Sequence, residues 1–253
     1  MNFKSLPDSI GNLDLLETLE IEGPSFSFLP ESIGNLHSLR NLYLYRTKIK
    51  TLPDMVGNLT KLEKIRLLCC TELEALPETI GNLRSLKSIY IRGGKMIALP
   101  ESIGDISSLL GLHLQYTNIA SLPASIGNLC NLVSLGIYSV QNEDRFDIID
   151  YPDYYQDEET ERKSPFAGLP STASKLTSLK YLNLSNTEVT SLPDYLTDLP
   201  ALERIDIIDC DIKTIPPVVQ RLVDNRELHL IRTEEELRFA FLWHHDRRRP
   251  RRR

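Results

Sequence analysis

Hydrophobic positions along the chain recur in a fixed order. Leucine or isoleucine followed by proline opens a unit at Leu6, Leu29, Leu52, Leu76, Leu99, Leu122, Leu169, Leu192 and Ile215, at spacings of 23 residues except for one of 24 and one of 47. In six units the sequence continues Ile/Val-Gly-Asn/Asp-Leu/Ile, as in Leu29-Pro30-Glu31-Ser32-Ile33-Gly34-Asn35-Leu36. Each unit then carries a triplet such as Leu42-Tyr43-Leu44, Leu112-His113-Leu114 or Leu182-Asn183-Leu184, the alternation of a short half-buried strand. Proline suits the first turn of a helical segment, because the N–H it lacks has no partner there. The glycine that follows suits a tight backbone turn. No unit can bury its apolar side alone, so the copies must stack and share a core of leucine ladders.

The consensus LPxxIGNLxxLxxLxLxxTxIxx resembles the leucine-rich-repeat family in its 23-residue form, over nine units from Leu6 to Leu237 with one interruption. It is similar to the repeats of Ras-group intracellular proteins, plant nucleotide-binding immune receptors and bacterial effectors. The resemblance implies an α/β leucine-rich-repeat solenoid: a horseshoe with a parallel concave sheet and short helical segments on the convex side. It also implies that the residue three beyond each triplet (Thr47, Cys70, Thr117, Thr187, Cys210 or Thr233) turns inward and hydrogen-bonds neighbouring backbone. Cys69 and Cys130 are then expected to be partly exposed, ordinary thiols.

The expected organisation is one repeat domain over 1–237, an acidic insertion at 141–167, and a C-terminal cap and arginine tail over 238–253. The spacing of 47 leaves 24 extra residues, and between Glu143 and Lys163 nine acidic residues face three basic ones. This stretch is a solvated loop or degenerate repeat in one reading. In the other it is an excursion whose Tyr151, Tyr154 and Tyr155, set among acids, suit a basic partner. Thr233-Glu234-Glu235-Glu236 has capping-box spacing, opening a helix that puts Leu237, Ala240, Phe241 and His244 on one face to cover the last repeat. The run Arg247–Arg253 offers a nuclear-import signal or contact with an anionic partner.

Composition narrows the function. The net charge of -6 gives the repeats no basic surplus, which argues against nucleic-acid binding except through the tail. Four scattered cysteines form no disulfide framework and fit a reducing interior. No apolar run approaches the roughly 20 residues of a membrane span, and the N-terminus has no secretory h-region. The expected location is cytoplasmic, with nuclear entry open through the tail. His37, His113, His229, His244 and His245 stand in no Ser/His/Asp or metal-ligand arrangement. The expectation is therefore a monomeric non-enzyme without cofactor, metal or small-molecule substrate.

A protein-binding surface is what the pattern leaves. Residues flanking the strand leucines face the concave side, the central column being Glu20, Tyr43, Arg66, Tyr90, His113, Gly136, Asn183, Asp206 and His229. Tyr43, Tyr45, Arg66, Tyr90, Arg92, His113 and Tyr138 should form one patch of the residue types that dominate interfaces. The expected function is a protein–protein interaction module in intracellular signalling or innate immunity. The alternative is a bacterial effector delivered into the host cytoplasm, its repeats recruiting a substrate for a catalytic domain not contained in this chain.

Overall fold

The computed structural model of the chain describes residues 3–139 and 162–237. Nine strands form one parallel sheet in sequence order. They are β1 (Thr18–Glu22), β2 (Asn41–Tyr45), β3 (Lys64–Leu68), β4 (Ser88–Arg92), β5 (Gly111–Gln115), β6 (Ser134–Tyr138), β7 (Tyr181–Asn183), β8 (Arg204–Asp206) and β9 (His229–Ile231). Inward residues align rung upon rung, as Leu42, Ile65, Ile89, Leu112 and Leu135 do, all fully buried.

The helical segments expected after each proline are five-residue 3-10 turns, eight in number among the described residues. The apolar spacing explains the choice. In the second unit Ile33, Leu36 and Leu39 lie three apart and are fully buried. Their amides donate to the carbonyls of Pro30, Ile33 and Leu36 respectively. Three residues per turn keeps such a series on one side, which an α-helix would not. The exception is the ninth unit, where Pro217–Asp224 is an α-helix, α1, with Val219 buried.

The glycine of each Ile-Gly-Asn turn has a different reason from the expected tight turn. A Cβ on Gly34 would lie 2.6 Å from the Met55 carbonyl oxygen, and one on Gly104 would lie 2.3 Å from that of Ser125. Glycine here lets the next unit approach. The left-handed conformation occurs instead just past the strands, at Arg46, Cys69, Gly93, Tyr116, Asn186 and Asp209.

Of the six slots, Cys70, Thr187 and Cys210 bond neighbouring carbonyls as the resemblance implied, whereas Thr47 bonds a side chain and the buried Thr117 hydroxyl has no hydrogen-bond partner among the described residues. Thr47 Oγ1 donates to Cys70 Sγ at 3.2 Å, and Cys70 Sγ donates to the Leu44 carbonyl at 3.6 Å. Thr187 and Cys210 both donate to the Leu184 carbonyl, at 2.6 and 3.0 Å. Thr233 departs from the series: it is exposed, and its Oγ1 accepts the Glu236 amide while Glu236 Oε2 accepts the Thr233 amide, a closed capping box. Leu237 in that turn packs on Ile208 and Ile231. Cys130 is exposed, but Cys69 is buried, against expectation.

Two boundaries move. Phe166 is fully buried, and Ser164 bridges Thr187 as a parallel partner. Residues 162–167 thus belong to the solenoid, and Phe166-x-x-Leu169-Pro170 repeats the spacing of Ile49-x-x-Leu52-Pro53. The register also shifts by two at the end, where Asp206 pairs with Ile231 and His229 with Arg204. The central column therefore ends on Ile231, not His229. The tighter rise of α1 absorbs more residues per length than a 3-10 turn. The expected cap beyond Leu237 and the arginine tail lie outside the described residues.

Candidate functional site

The outward face of β2–β6 brings the seven predicted residues together. Tyr43, Arg66, Tyr90 and His113 occupy one row across β2–β5, and Tyr45, Leu68, Arg92, Gln115 and Tyr138 the next across β2–β6. In-register parallel strands place such neighbours one strand spacing apart, close enough for rings and guanidinium groups to touch.

They do touch. The Arg66 guanidinium sits 5.1 Å from the centre of the Tyr43 ring, a cation–π contact, and the Tyr43 and Tyr45 rings are 6.3 Å apart. Tyr45, Leu68 and Tyr90 form a small apolar cluster against Tyr43. His113 lies 6.2 Å from Tyr90 and 6.3 Å from Tyr138, edge-on to the latter. The Tyr90 hydroxyl donates to Gln115 Oε1. Gly136 makes the junction possible, since a Cβ there would lie 2.7 Å from the Tyr138 ring and 2.8 Å from His113 Nδ1.

Burial is where the sequence reading falls short. Tyr45, Arg66, Tyr90, His113 and Tyr138 are all at most 5% exposed, while Tyr43 and Arg92 remain half-buried. Most of the patch is packed away, and its accessible part is Tyr43 and Arg92 with the half-buried Asn41 and Lys64 beside them. His113 shares a 3.1 Å hydrogen bond between its Nε2 and Ser134 Oγ. Burial pulls its imidazole down to about 4, so it is neutral at physiological pH. The outward positions of β2–β6 carry Lys64, Arg66 and Arg92 and no carboxylate.

A second feature escaped the sequence reading. On β8, Arg204 Nε donates to Asp206 Oδ1 at 2.6 Å and Nη2 to Oδ2, a two-pronged pair at 5% and 2% exposure. Burial raises the Asp206 carboxyl, opposed by the adjacent guanidinium. The signal was present, because residues i and i+2 of a strand share a face.

Among the described residues no group of three or more His, Cys, Asp or Glu could hold a metal ion. Cys70 is buried beside Thr47, and burial raises its thiol, the opposite of an activated nucleophile. Among the described residues no helix is long and apolar enough to cross a membrane.

Comparison with known proteins agrees with the geometry. The family described as leucine-rich repeat region matches residues 1–75, and the family described as Leucine Rich Repeat matches residues 178–199. No curated protein matches by sequence. Among solved structures, the leucine-rich repeat domain of the type III effector XopL superposes with a TM-score of 0.66 at 19% identity, covering 90% of this chain and 72% of that one. A leucine-rich-repeat protein of Leptospira interrogans gives 0.55 at 21% identity, covering 87% and 62%. A chain of the Drosophila Toll–Spatzle complex gives 0.67 at 16% identity, covering 92% and 28%. The chain thus spans less than two thirds of the Leptospira protein and of the Drosophila chain. Repeat spacing, nine-stranded parallel sheet and these matches agree: the chain is a leucine-rich-repeat protein.

Proposed function

We propose that the chain is a non-catalytic module that binds a partner protein on its concave sheet, in intracellular signalling or innate immunity. Leucine-rich-repeat domains are generally protein-interaction modules. The observation that carries the site is the continuous cation–aromatic lattice on β2–β6, whose outward positions include three cations and no carboxylate. Buried members hold their rotamers through mutual packing, so Tyr43 and Arg92 are presented with little ordering entropy left to lose on binding. The partner this surface suits is acidic. A cytoplasmic setting is part of this proposal and rests on the scattered cysteines, which form no disulfide framework. The effector alternative draws on the repeat resemblance and on a fold that XopL shares with a receptor complex, and it names no feature of the described surface.

The test begins with capture of partners by the intact chain, followed by affinity measurements on each. Tyr43→Ala and Arg92→Ala are expected to weaken binding by more than about 1 kcal/mol each while the chain stays folded. Wild-type affinity in both variants overturns the site. Deleting 141–161, and leaving Phe166 in the core, shows whether the acidic segment contributes to binding.

A further inference from the structure

We propose that the chain's own C-terminal segment, residues 238–245, docks as a helix on the concave face over β7–β9, so that the face open to a partner ends at β6. The docking is intramolecular and does not depend on the partner reading. Its starting point is Leu237. The register puts Ile231 in the outward column beside Asp206, and Ile208 stands two positions beyond Asp206 on the same side. Leu237, Ile208 and Ile231 form a buried apolar cluster of their own, apart from the leucine core beneath the sheet. A cover over the end of the last repeat, as the sequence suggested, would instead rest on Leu230 and the outer side of α1, where Val218 is exposed. Leu237 turns the other way, reaching one strand inward from β9.

Three further observations extend that contact along the segment. The closed capping box of Thr233 and Glu236 starts a helix whose first turn is 234–237, and this sets the helix axis. At helical spacing Ala240, Phe241 and His244 follow Leu237 on one face. Four residues advance about 6 Å, little more than the roughly 4.8 Å between strands, so Phe241 falls about one strand further in than Leu237. Phe239, Leu242 and Trp243 lie off that face, which makes the segment apolar round most of its circumference. Such a helix suits a concave hollow, walled on more than one side, better than a flat end. The sheet itself calls for a cover, because Asn183, Ser185, Asp206 and Ile208 all stand on its outward side yet are at most 2% exposed. Water reaches short side chains on the open side of a sheet unless a further layer lies over them.

The test is amide hydrogen exchange read by NMR on the full chain. A helix this short is marginal in water, so protection of the amides of 240–244 in the wild type reports docking. I208S removes the sheet-side contact without entering the leucine core, and should accelerate exchange of those amides by about tenfold or more. V218S, on the end face, should leave their exchange unchanged. In the reverse direction, F241S should shift the amides of Asn183, Ser185 and Ile208 and not those of Val218 and Leu222. Retained dispersion at β1–β6 verifies the fold of each variant, and F241S alters no residue of the sheet. Protection lost in V218S and kept in I208S puts the segment over the end and overturns the proposal. Unprotected amides in the wild type, or equal loss in both variants, overturn it as well. So does a chain lacking 141–161 that shifts the Asn183, Ser185 and Ile208 amides while F241S does not, since the acidic segment is then the cover. Tyr43→Ala leaves the exchange of 240–244 unchanged, so failure here and failure of the partner site are separable.

Discussion

Units carrying β1–β6 have strands of five residues and a glycine in each 3-10 turn, whereas those carrying β7 and β8 have strands of three and Ser174 or Thr197 in the glycine's place. The two regions also fill their concave faces differently. Across β2–β6 the buried face is aromatic and its titratable centre, His113, is neutral. On β8 it is an ion pair, Arg204 with Asp206. The same fold thus seals its inner face once by stacking rings and once by pairing charges. The contrast matters because dispersion between rings tolerates loss of one member better than an ion pair tolerates loss of one charge.

The largest expected effect breaks the ionic side of that contrast. Asp206→Ala leaves the Arg204 guanidinium buried beside a void, and should cost about 3–5 kcal/mol in urea denaturation. Replacing both by apolar residues, R204M/D206L, should restore most of that stability, since neither charge then needs solvation. A single-variant cost no larger than that of the double variant would show that the pair is not a closed unit.

The neutral side is tested by acid. His113 in the native state titrates at about 4 against an ordinary 6.5, so the unfolded chain takes up its proton first as pH falls. Its contribution is complete above pH 6.5 and is lost progressively as pH drops toward 4, a loss of about 3 kcal/mol. The check is the stability difference between wild type and His113→Gln across pH 4 to 7.5. That difference should shrink on acidification by about this amount; a constant difference would mean the imidazole is charged or solvated in the folded protein.

Much of this was legible in the sequence, and the reason is physical. A unit that contacts only its neighbours repeats the same constraints, so leucine and proline positions report stacking directly. Strand alternation assigned Tyr43, Arg66, Tyr90 and His113 to one face for the same reason. Their burial was not legible, because it depends on how rings settle across strands, as when Gly136 lets His113 meet Tyr138. Phe166 was legible in principle from its Phe-x-x-Leu-Pro frame, but the acidic residues preceding it masked the resumed period. The shifted register of β9 was hidden by α1, since a change from 3-10 to α geometry alters rise per residue without changing the apolar character of the segment.

The smallest expected effect returns to the stacking distance. Gly104→Ala places a methyl 2.3 Å from the Ser125 carbonyl oxygen and 2.5 Å from its Cβ. Those are backbone-anchored atoms that cannot rotate aside, so the adjoining units must separate. The reduced entropy of the unfolded chain favours the variant by about 0.4–1 kcal/mol, and overpacking opposes it by about 1–3 kcal/mol. The net is a loss measurable as a lower urea midpoint. Ser174→Ala, at the equivalent position of the seventh unit, should change stability by less than about 0.5 kcal/mol. There the next turn presents Tyr195, whose hydroxyl donates to the Pro170 carbonyl at 2.8 Å and spans the interval as a side chain. If Gly104→Ala is as neutral as Ser174→Ala, glycine does not set the approach of the first six units, and the shorter strands of the last three need another cause.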